Sequence, residues 1–223
     1  MLMIGHRGAK GYAPENTLLS VRKAMELGVD CVEVDVHLLG EDLIVLHDET
    51  LERTTNGRGR LENYSFEEIR RLDAGLGEKI PTLPEVLAVT HGVVDLNIEL
   101  KGKGSSDALI KILDNPLFDD HEKLLISSFL IEELRTLRAW NSGLKIGVLA
   151  SHNLDESFDW CIKLKAFSLH INQQQLTLDI IKKAHRSGLK LYVYTVNDRK
   201  EMEKMEKIGV DAVFSDFPDR RPA

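Results

Sequence analysis

The chain has 223 residues, 43% hydrophobic and 29% charged, a composition that suits an ordinary globular protein with a sizeable core. A formal net charge of −7 gives nucleic acid no electrostatic footprint, so any phosphate-bearing ligand must be held by local cations or a metal. No apolar run reaches the length of a membrane span, and Met1-Leu2-Met3-Ile4 is too short for a secretion signal, so a cytoplasmic protein without stable membrane insertion is expected.

The first predicted strand, Met3–Gly5, runs into Gly5-His6-Arg7-Gly8. A histidine between glycines sits where the backbone bends and close approach is possible. Arg7 beside it offers a planar fork suited to phosphate. Pro14-Glu15-Asn16-Thr17 then reads as the opening of a helix over Thr17–Leu27.

The next strand, Cys31–Leu38, alternates sharply. Cys31, Glu33, Asp35 and His37 share one face, while Val32, Val34, Val36 and Leu38 take the other. Two carboxylates two residues apart can grip one divalent cation through oxygen. The same pattern also fits a half-exposed strand with a polar outside. A second apolar run, Leu43–Leu46, delivers His47 and Asp48 at its end.

Almost forty residues separate that run from a helix near Pro84. Within them Ser65-Phe66-Glu67-Glu68 is a capping box opening a short helix to about Leu72, and Thr82-Leu83-Pro84-Glu85 is a second one. This stretch, about 49–81, reads as an insertion on the rim of a single domain spanning 1–223.

Asn97-Ile98-Glu99-Leu100-Lys101 repeats the logic of Cys31–Leu38, with Asn97, Glu99 and Lys101 on one face. Glu99 and Lys101 fit a structural ion pair inside a barrel. The reading preferred over that one makes Glu99 a third metal carboxylate and Lys101 a phosphate contact. Further strands are predicted at Leu124–Ser127, Lys145–Leu149, Ala166–Ile171, Lys190–Thr195 and Ala212–Ser215, with helices between them. Helix–Gly–strand joints recur around Gly28 and Gly209, with looser copies at Gly143 and Gly188, as expected of a parallel α/β architecture. About eight strands in this length match a (β/α)8 TIM barrel with a small insertion after strand 2.

A barrel of this kind would gather His6, Arg7, Glu33, Asp35, His47, Glu99 and Lys101 at one rim. Their chemistry suits metal-assisted cleavage of a phosphate ester, with one imidazole accepting a proton and the other donating one. His37 and His170 are secondary candidates for the pocket wall, whereas His91, His121, His152 and His185 fall in helix-end or loop contexts. Tyr194 fits a rim aromatic or a core residue equally well. Cys31 and Cys161 have neither disulfide-framework nor metal spacing and read as buried thiols of a reducing compartment.

These motifs, taken together and in order, resemble the glycerophosphodiester phosphodiesterase family. The resemblance rests on His6-Arg7-Gly8 with Pro14-Glu15-Asn16-Thr17, Glu33-Val34-Asp35-Val36 and His47-Asp48 followed by Leu51-Glu52-Arg53-Thr54-Thr55-Asn56-Gly57. It continues through Pro81-Thr82-Leu83, Asn97-Ile98-Glu99-Leu100-Lys101, Tyr194-Thr195-Val196-Asn197 and Ser215-Asp216-Phe217-Pro218. It implies hydrolysis of small glycerophosphodiesters, such as glycerophosphocholine or glycerophosphoethanolamine, to glycerol 3-phosphate and an alcohol. It also implies a Mg2+ or Ca2+ held by Glu33, Asp35 and Glu99, with His6 and His47 as the acid/base pair. Arg7 and Lys101 would then meet the phosphate and Tyr194 the glycerol, where the family often has Trp. Leu39-Gly40-Glu41-Asp42 replaces the family's usual turn after the metal strand. Two alternatives stand beside this expectation: a lysophospholipase D or sphingomyelinase-D-like enzyme on the same barrel, and a non-catalytic phosphodiester-binding barrel.

Overall fold

The computed structural model describes residues 1–118, 120–150 and 153–222. His152 lies outside the described residues. Eight parallel strands close into a barrel: β1 (Leu2–Gly5), β2 (Cys31–Leu39), β4 (Asp95–Leu100), β5 (Leu124–Ser128), β6 (Lys145–Leu149), β7 (Ser168–Asn172), β8 (Lys190–Tyr194) and β9 (Ala212–Ser215). Closure comes from β1, which pairs with β2 on one side and with β9 on the other, Gly5 opposite both Val32 and Ser215. The TIM-barrel expectation therefore holds.

The helices α1 (Leu18–Glu26), α3 (Leu83–Thr90), α4 (Ser105–Leu113), α5 (Ile131–Trp140), α6 (Leu154–Lys163), α7 (Leu178–Arg186) and α8 (Arg199–Lys207) surround the barrel. Val32, Val34 and Val36 are fully buried in one large aliphatic cluster with Val21, Ala24, Leu83 and Val86 of the helices. Strand period two thus sends the valines outward to the helices and turns Glu33 and Asp35 inward. Gly28 and Gly209 follow helices α1 and α8 at φ +73° and +89°, the left-handed turn that sends each helix into its next strand. Gly143 does not share that conformation; after α5 the chain leaves through Asn141 in an extended conformation.

The barrel interior has two zones. Near the N-terminal ends of the strands, Ile4, Cys31, Leu125, Tyr192, Ala212 and Phe214 form a separate apolar plug. Toward the C-terminal ends the lining becomes polar, with Glu33, Asp35, Asn97 and Glu99 all buried. Apolar packing below and ionisable groups above place the chemistry at the C-terminal rim.

One strand was absent from the eightfold count. Leu43–Leu46 contributes β3 (Asp42–Val45), which pairs antiparallel with β2 outside the parallel barrel order. Val36 faces Val45 and Leu39 faces Asp42, so the Leu39–Asp42 turn is the tip of a hairpin. The segment between β3 and α3 packs on the hairpin in a separate buried cluster, Leu46, Leu51, Leu61, Ile69, Ala74 and Ile80 with Leu39 of β2 and Ile44 of β3. Its helix α2 (Phe66–Ile69) is shorter than the stretch to Leu72 that the sequence suggests; residues 70–72 continue as tighter turns. The Ser65 capping box is formed, with Glu68 N–H donating to Ser65 Oγ and Ser65 N–H to Glu68 Oε2. Among the described residues no helix is long and apolar enough to cross a membrane.

Candidate active site

Glu33, Asp35 and Glu99 converge because β2 and β4 run side by side with Asp35 opposite Glu99. One carboxylate oxygen from each lies within 4.8 Å of the others, and all three residues are buried. Burial and the repulsion of its neighbours push Glu33 well above the ordinary carboxylate range. The same causes, burial first and then Asp35, raise Glu99 to about 7. Burial opposes the charge of Asp35 too, but Lys101 and Arg7 outweigh it and hold this carboxylate below its ordinary value.

Three buried carboxylates in one small volume are unfavourable without matching positive charge. Arg7 and Lys101 supply part of it. Arg7 Nε lies 3.2 Å from Asp35 Oδ2, and Lys101 Nζ lies 3.2 Å from Asp35 Oδ1 and 2.5 Å from Glu99 Oε1. The Glu99–Lys101 ion pair is therefore present, and the carboxylate cluster exists alongside it. Glu33 Oε2 accepts from the Arg7 backbone N–H at 2.7 Å, yet its buried Oε1 has no hydrogen-bond partner. A buried carboxylate oxygen without a donor, beside two more carboxylates, fits a divalent cation bound through oxygen.

The two histidines follow β1 and β3, the strands that pair with β2. His6 leaves the end of β1, where Gly8 turns the chain at φ +79° so tightly that a Cβ there would meet Ser20 backbone at 2.4 Å. His6 Nδ1 is 2.7 Å from Asp216 Oδ1, at the end of the neighbouring β9. His47 is set beside β2 because Leu46 N–H donates to Asp35 O at 3.0 Å. Its Nδ1 is 2.6 Å from Asp48 Oδ1.

Burial opposes ionisation of Asp216, but the bond to His6 keeps it below the carboxylate range. Asp48 is held low first by Arg53. An ionised carboxylate can only accept, so in each pair the Nδ1–H donates and the lone pair remains on Nε2. Burial lowers the pKa of both imidazoles, against the partner carboxylates, which raise it. Tyr194 ends β8, and burial together with the negative charge of Glu99 raises its phenol to about 12, so its ring belongs to the same rim.

The two secondary histidine candidates make hydrogen bonds of their own away from the acidic cluster. His37 is buried and its Nε2 donates to His47 O at 2.9 Å, which pins the backbone of its more accessible neighbour. His170 lies inside the barrel, its Nε2 2.8 Å from Ser168 Oγ and its ring stacked on Tyr192 at 5.0 Å.

Four supporting residues carried no role in the sequence reading, although each lies in a motif that drew notice. Asn16 does not cap α1; Thr17 does, and its Oγ1 accepts from Ser20 N–H. Asn16 instead turns inward at φ +57° and its Nδ2 donates to Asp35 Oδ2 at 2.9 Å. Asn197 Nδ2 donates to Asp216 Oδ2 at 2.8 Å, which fixes the carboxylate behind His6. Glu15 accepts from Arg7 Nη1 at 2.6 Å, and Arg53 reaches both Glu15 and Asp48.

The comparisons with known proteins converge with this geometry. The profile described as "Glycerophosphoryl diester phosphodiesterase family" matches residues 6–220. A glycerophosphodiester phosphodiesterase of Caldanaerobacter subterraneus subsp. tengcongensis is 38% identical, with 98% of this chain and 95% of that protein aligned. One from Bacillus subtilis is 32% identical over 98% of this chain and 84% of its own length. Among solved structures, an Oleispira antarctica phosphodiesterase in complex with the product sn-glycerol-3-phosphate superposes with a TM-score of 0.90 at 32% identity, covering 99% of this chain and 94% of that one. A match over nearly the whole length, on a barrel whose rim holds two carboxylate-backed histidines and three clustered acids, makes this chain a member of the glycerophosphoryl diester phosphodiesterase family of phosphoric diester hydrolases.

Proposed function

We propose that this protein hydrolyses small glycerophosphodiesters, such as glycerophosphocholine or glycerophosphoethanolamine, to glycerol 3-phosphate and the free alcohol. The observation that carries the reading is the pairing of each of two histidines with a carboxylate on Nδ1, on strand ends neighbouring those that bear three clustered acids. The product held by the Oleispira antarctica relative is the one this reaction would release.

Glu33, Asp35 and Glu99 are the residues that would hold the cation, Mg2+ or Ca2+. Bound there, the cation supplies positive charge against the phosphoryl oxygens. Arg7 and Lys101 line the same cluster and extend that positive field to the phosphodiester. Tyr194 contributes a ring at the rim for the glycerol moiety.

One of His6 and His47 accepts the proton of the attacking glycerol hydroxyl at Nε2. The other enters as the imidazolium and gives its Nε2 proton to the departing alkoxide, so that the phosphorus–oxygen bond breaks without releasing a free alkoxide. Water then opens the cyclic phosphate with the two roles exchanged. Asp48 and Asp216 keep both imidazoles in the tautomer this exchange needs. The whole chain works as one barrel domain, with residues 49–81 as an insertion whose Arg53 reaches the rim. Two free, buried cysteines, Cys31 and Cys161, suit a cytoplasmic setting.

The test is turnover of glycerophosphocholine, glycerophosphoethanolamine and lysophosphatidylcholine by the purified protein, with Mg2+ or Ca2+ and again with EDTA. Release of glycerol 3-phosphate from the first two, abolished by EDTA, is the expected result. Metal-independent turnover, preference for the lysolipid, or no reaction with any phosphodiester would overturn it.

A further inference from the structure

Outside the acids and histidines, one side chain ties together more of the rim than any role so far assigned to it accounts for. Arg53 belongs to the segment between β3 and α3, and its side chain is 46% exposed. Its guanidinium grips Asp48 through Nε to Oδ2 at 2.5 Å and Nη2 to Oδ1 at 3.0 Å. The same group grips Glu15 through Nη1 to Oε2 at 2.8 Å and Nη2 to Oε1 at 2.9 Å. Both carboxylates lead onward to the site. Asp48 Oδ1 takes His47 Nδ1–H, and Glu15 Oε1 takes Arg7 Nη1, whose Nε lies against Asp35.

We infer that Arg53 is a positioning residue: its two-sided fork locks Asp48 in the orientation that fixes the Nδ1–H tautomer of His47, leaving Nε2 to handle the proton. The inference rests on the proton-transfer role proposed for His47. Its geometry is specific in two ways. A planar guanidinium can hold two carboxylates at once by parallel N–H bonds, which the point charge of lysine cannot reproduce. Asp48 is adjacent in sequence to His47 and has a short, partly buried side chain that still reaches water, so without a clamp it has more than one rotamer open to it. An isolated surface ion pair would have little effect on anything. This one differs because the carboxylate it holds is itself the partner of a rim imidazole.

The step it serves moves only a proton. His47 Nε2 accepts or returns the proton of a substrate oxygen, while Nδ1–H stays on Asp48 throughout and Arg53 keeps its charge. Arg53 touches neither substrate nor reacting atoms. Loss of the clamp therefore lowers the fraction of His47 in the working tautomer and leaves the binding cations in place.

The test compares Arg53→Met and Arg53→Lys with the unaltered protein, by 15N-resolved NMR of the histidine rings and by steady-state kinetics. Circular dichroism and thermal melting verify that each is folded, as expected for a half-exposed side chain. The unaltered protein should show His47 with its proton on Nδ1. Arg53→Met should show a mixture of tautomers, a fall in kcat of about ten- to hundredfold and a KM within about twofold. Arg53→Lys should lie between the two. An unchanged His47 tautomer in Arg53→Met would overturn the inference, as would a loss confined to KM. The ring spectrum needs no substrate, so a shifted tautomer in a protein inactive on glycerophosphodiesters would leave the clamp standing and reject the proposed reaction.

Discussion

His6 and Asp216 are 210 residues apart in sequence and 2.7 Å apart through Nδ1 and Oδ1. Barrel closure makes the contact: β1 and β9 are neighbours, with Gly5 opposite Ser215, so the next residue on each strand emerges at the same point of the rim. Asn197 then holds Asp216 from behind, through its Nδ2 and by accepting the Asp216 backbone N–H at 2.8 Å. Replacing Asp216 with Asn presents an amide that can donate to Nδ1 and so favours the wrong tautomer. We expect Asp216→Asn to fold normally, to keep its KM within about threefold and to lose at least about tenfold in kcat. Steady-state kinetics on glycerophosphocholine check this; a normal kcat would mean that His6 needs no orienting partner.

His6 and His47 should prove separately indispensable. In the proposed reaction each would supply a proton transfer, a contribution of roughly 10²- to 10⁴-fold. His6→Ala and His47→Ala should each lose kcat on that scale. Both sit at the rim, outside the apolar clusters, so their melting temperatures should stay within a few degrees of the parent. Turnover close to normal in either variant would remove that histidine from the mechanism.

Cation binding should be linked to protons. Burial and Asp35 raise Glu99 to about 7, and Glu33 is raised as well, so below neutrality the empty cluster holds protons that a cation must displace. Affinity for Mg2+ or Ca2+ should therefore rise with pH, by roughly tenfold per unit for each proton displaced between pH 6 and 7. Isothermal titration calorimetry in two buffers of different ionisation enthalpy measures both the affinity and the protons released. Glu99→Gln should weaken binding and reduce the proton release; retention of both would leave Glu99 as no more than the ion-pair partner of Lys101.

His170 should make the fold sensitive to mild acid. Complete burial depresses its imidazole to about 3, against about 6.5 in an unfolded chain. Between those values the unfolded state binds the extra proton, so the contribution of His170 to stability is complete above about pH 6.5 and falls as the pH drops toward 3. Going from pH 7.5 to 5.5 should cost about 1.4 kcal/mol through this residue alone. Urea unfolding at the two pH values should show that loss in the parent and its absence in His170→Phe. An equal loss in both proteins would trace the acid sensitivity to other groups.

Which residues were legible in sequence follows from how local their constraints are. Glu33 and Asp35 on β2, and Glu99 and Lys101 along β4 and just past its end, declare themselves by period two, since a purely aliphatic opposite face fixes which way they point. Asn16 looked like part of a helix start because its neighbours have that chemistry. The positive φ at Asn16 turns its amide toward Asp35; Asn adopts that conformation more readily than most residues, but the type alone does not say that it does so here. Strand β3 is four residues long, and its hairpin with β2 carries no stronger turn signal than Gly40. Arg53, Asn197 and Asp216 were visible as motif members, but their partners are set by closure of the barrel and by the course of the segment after β3. Those are properties of the whole chain.

The seating of β1 between β2 and β9 also bears on how the protein comes into being. During synthesis β1 stays open along one edge until β9 is made, and His6 waits with it for Asp216. A nascent or prematurely terminated chain that lacks β9 has every residue of the acidic cluster and both histidines, yet it lacks the strand that seals the barrel. Such fragments should have no phosphodiesterase activity to release into the cell, and supplying the missing C-terminal piece in trans would be the way to switch them on.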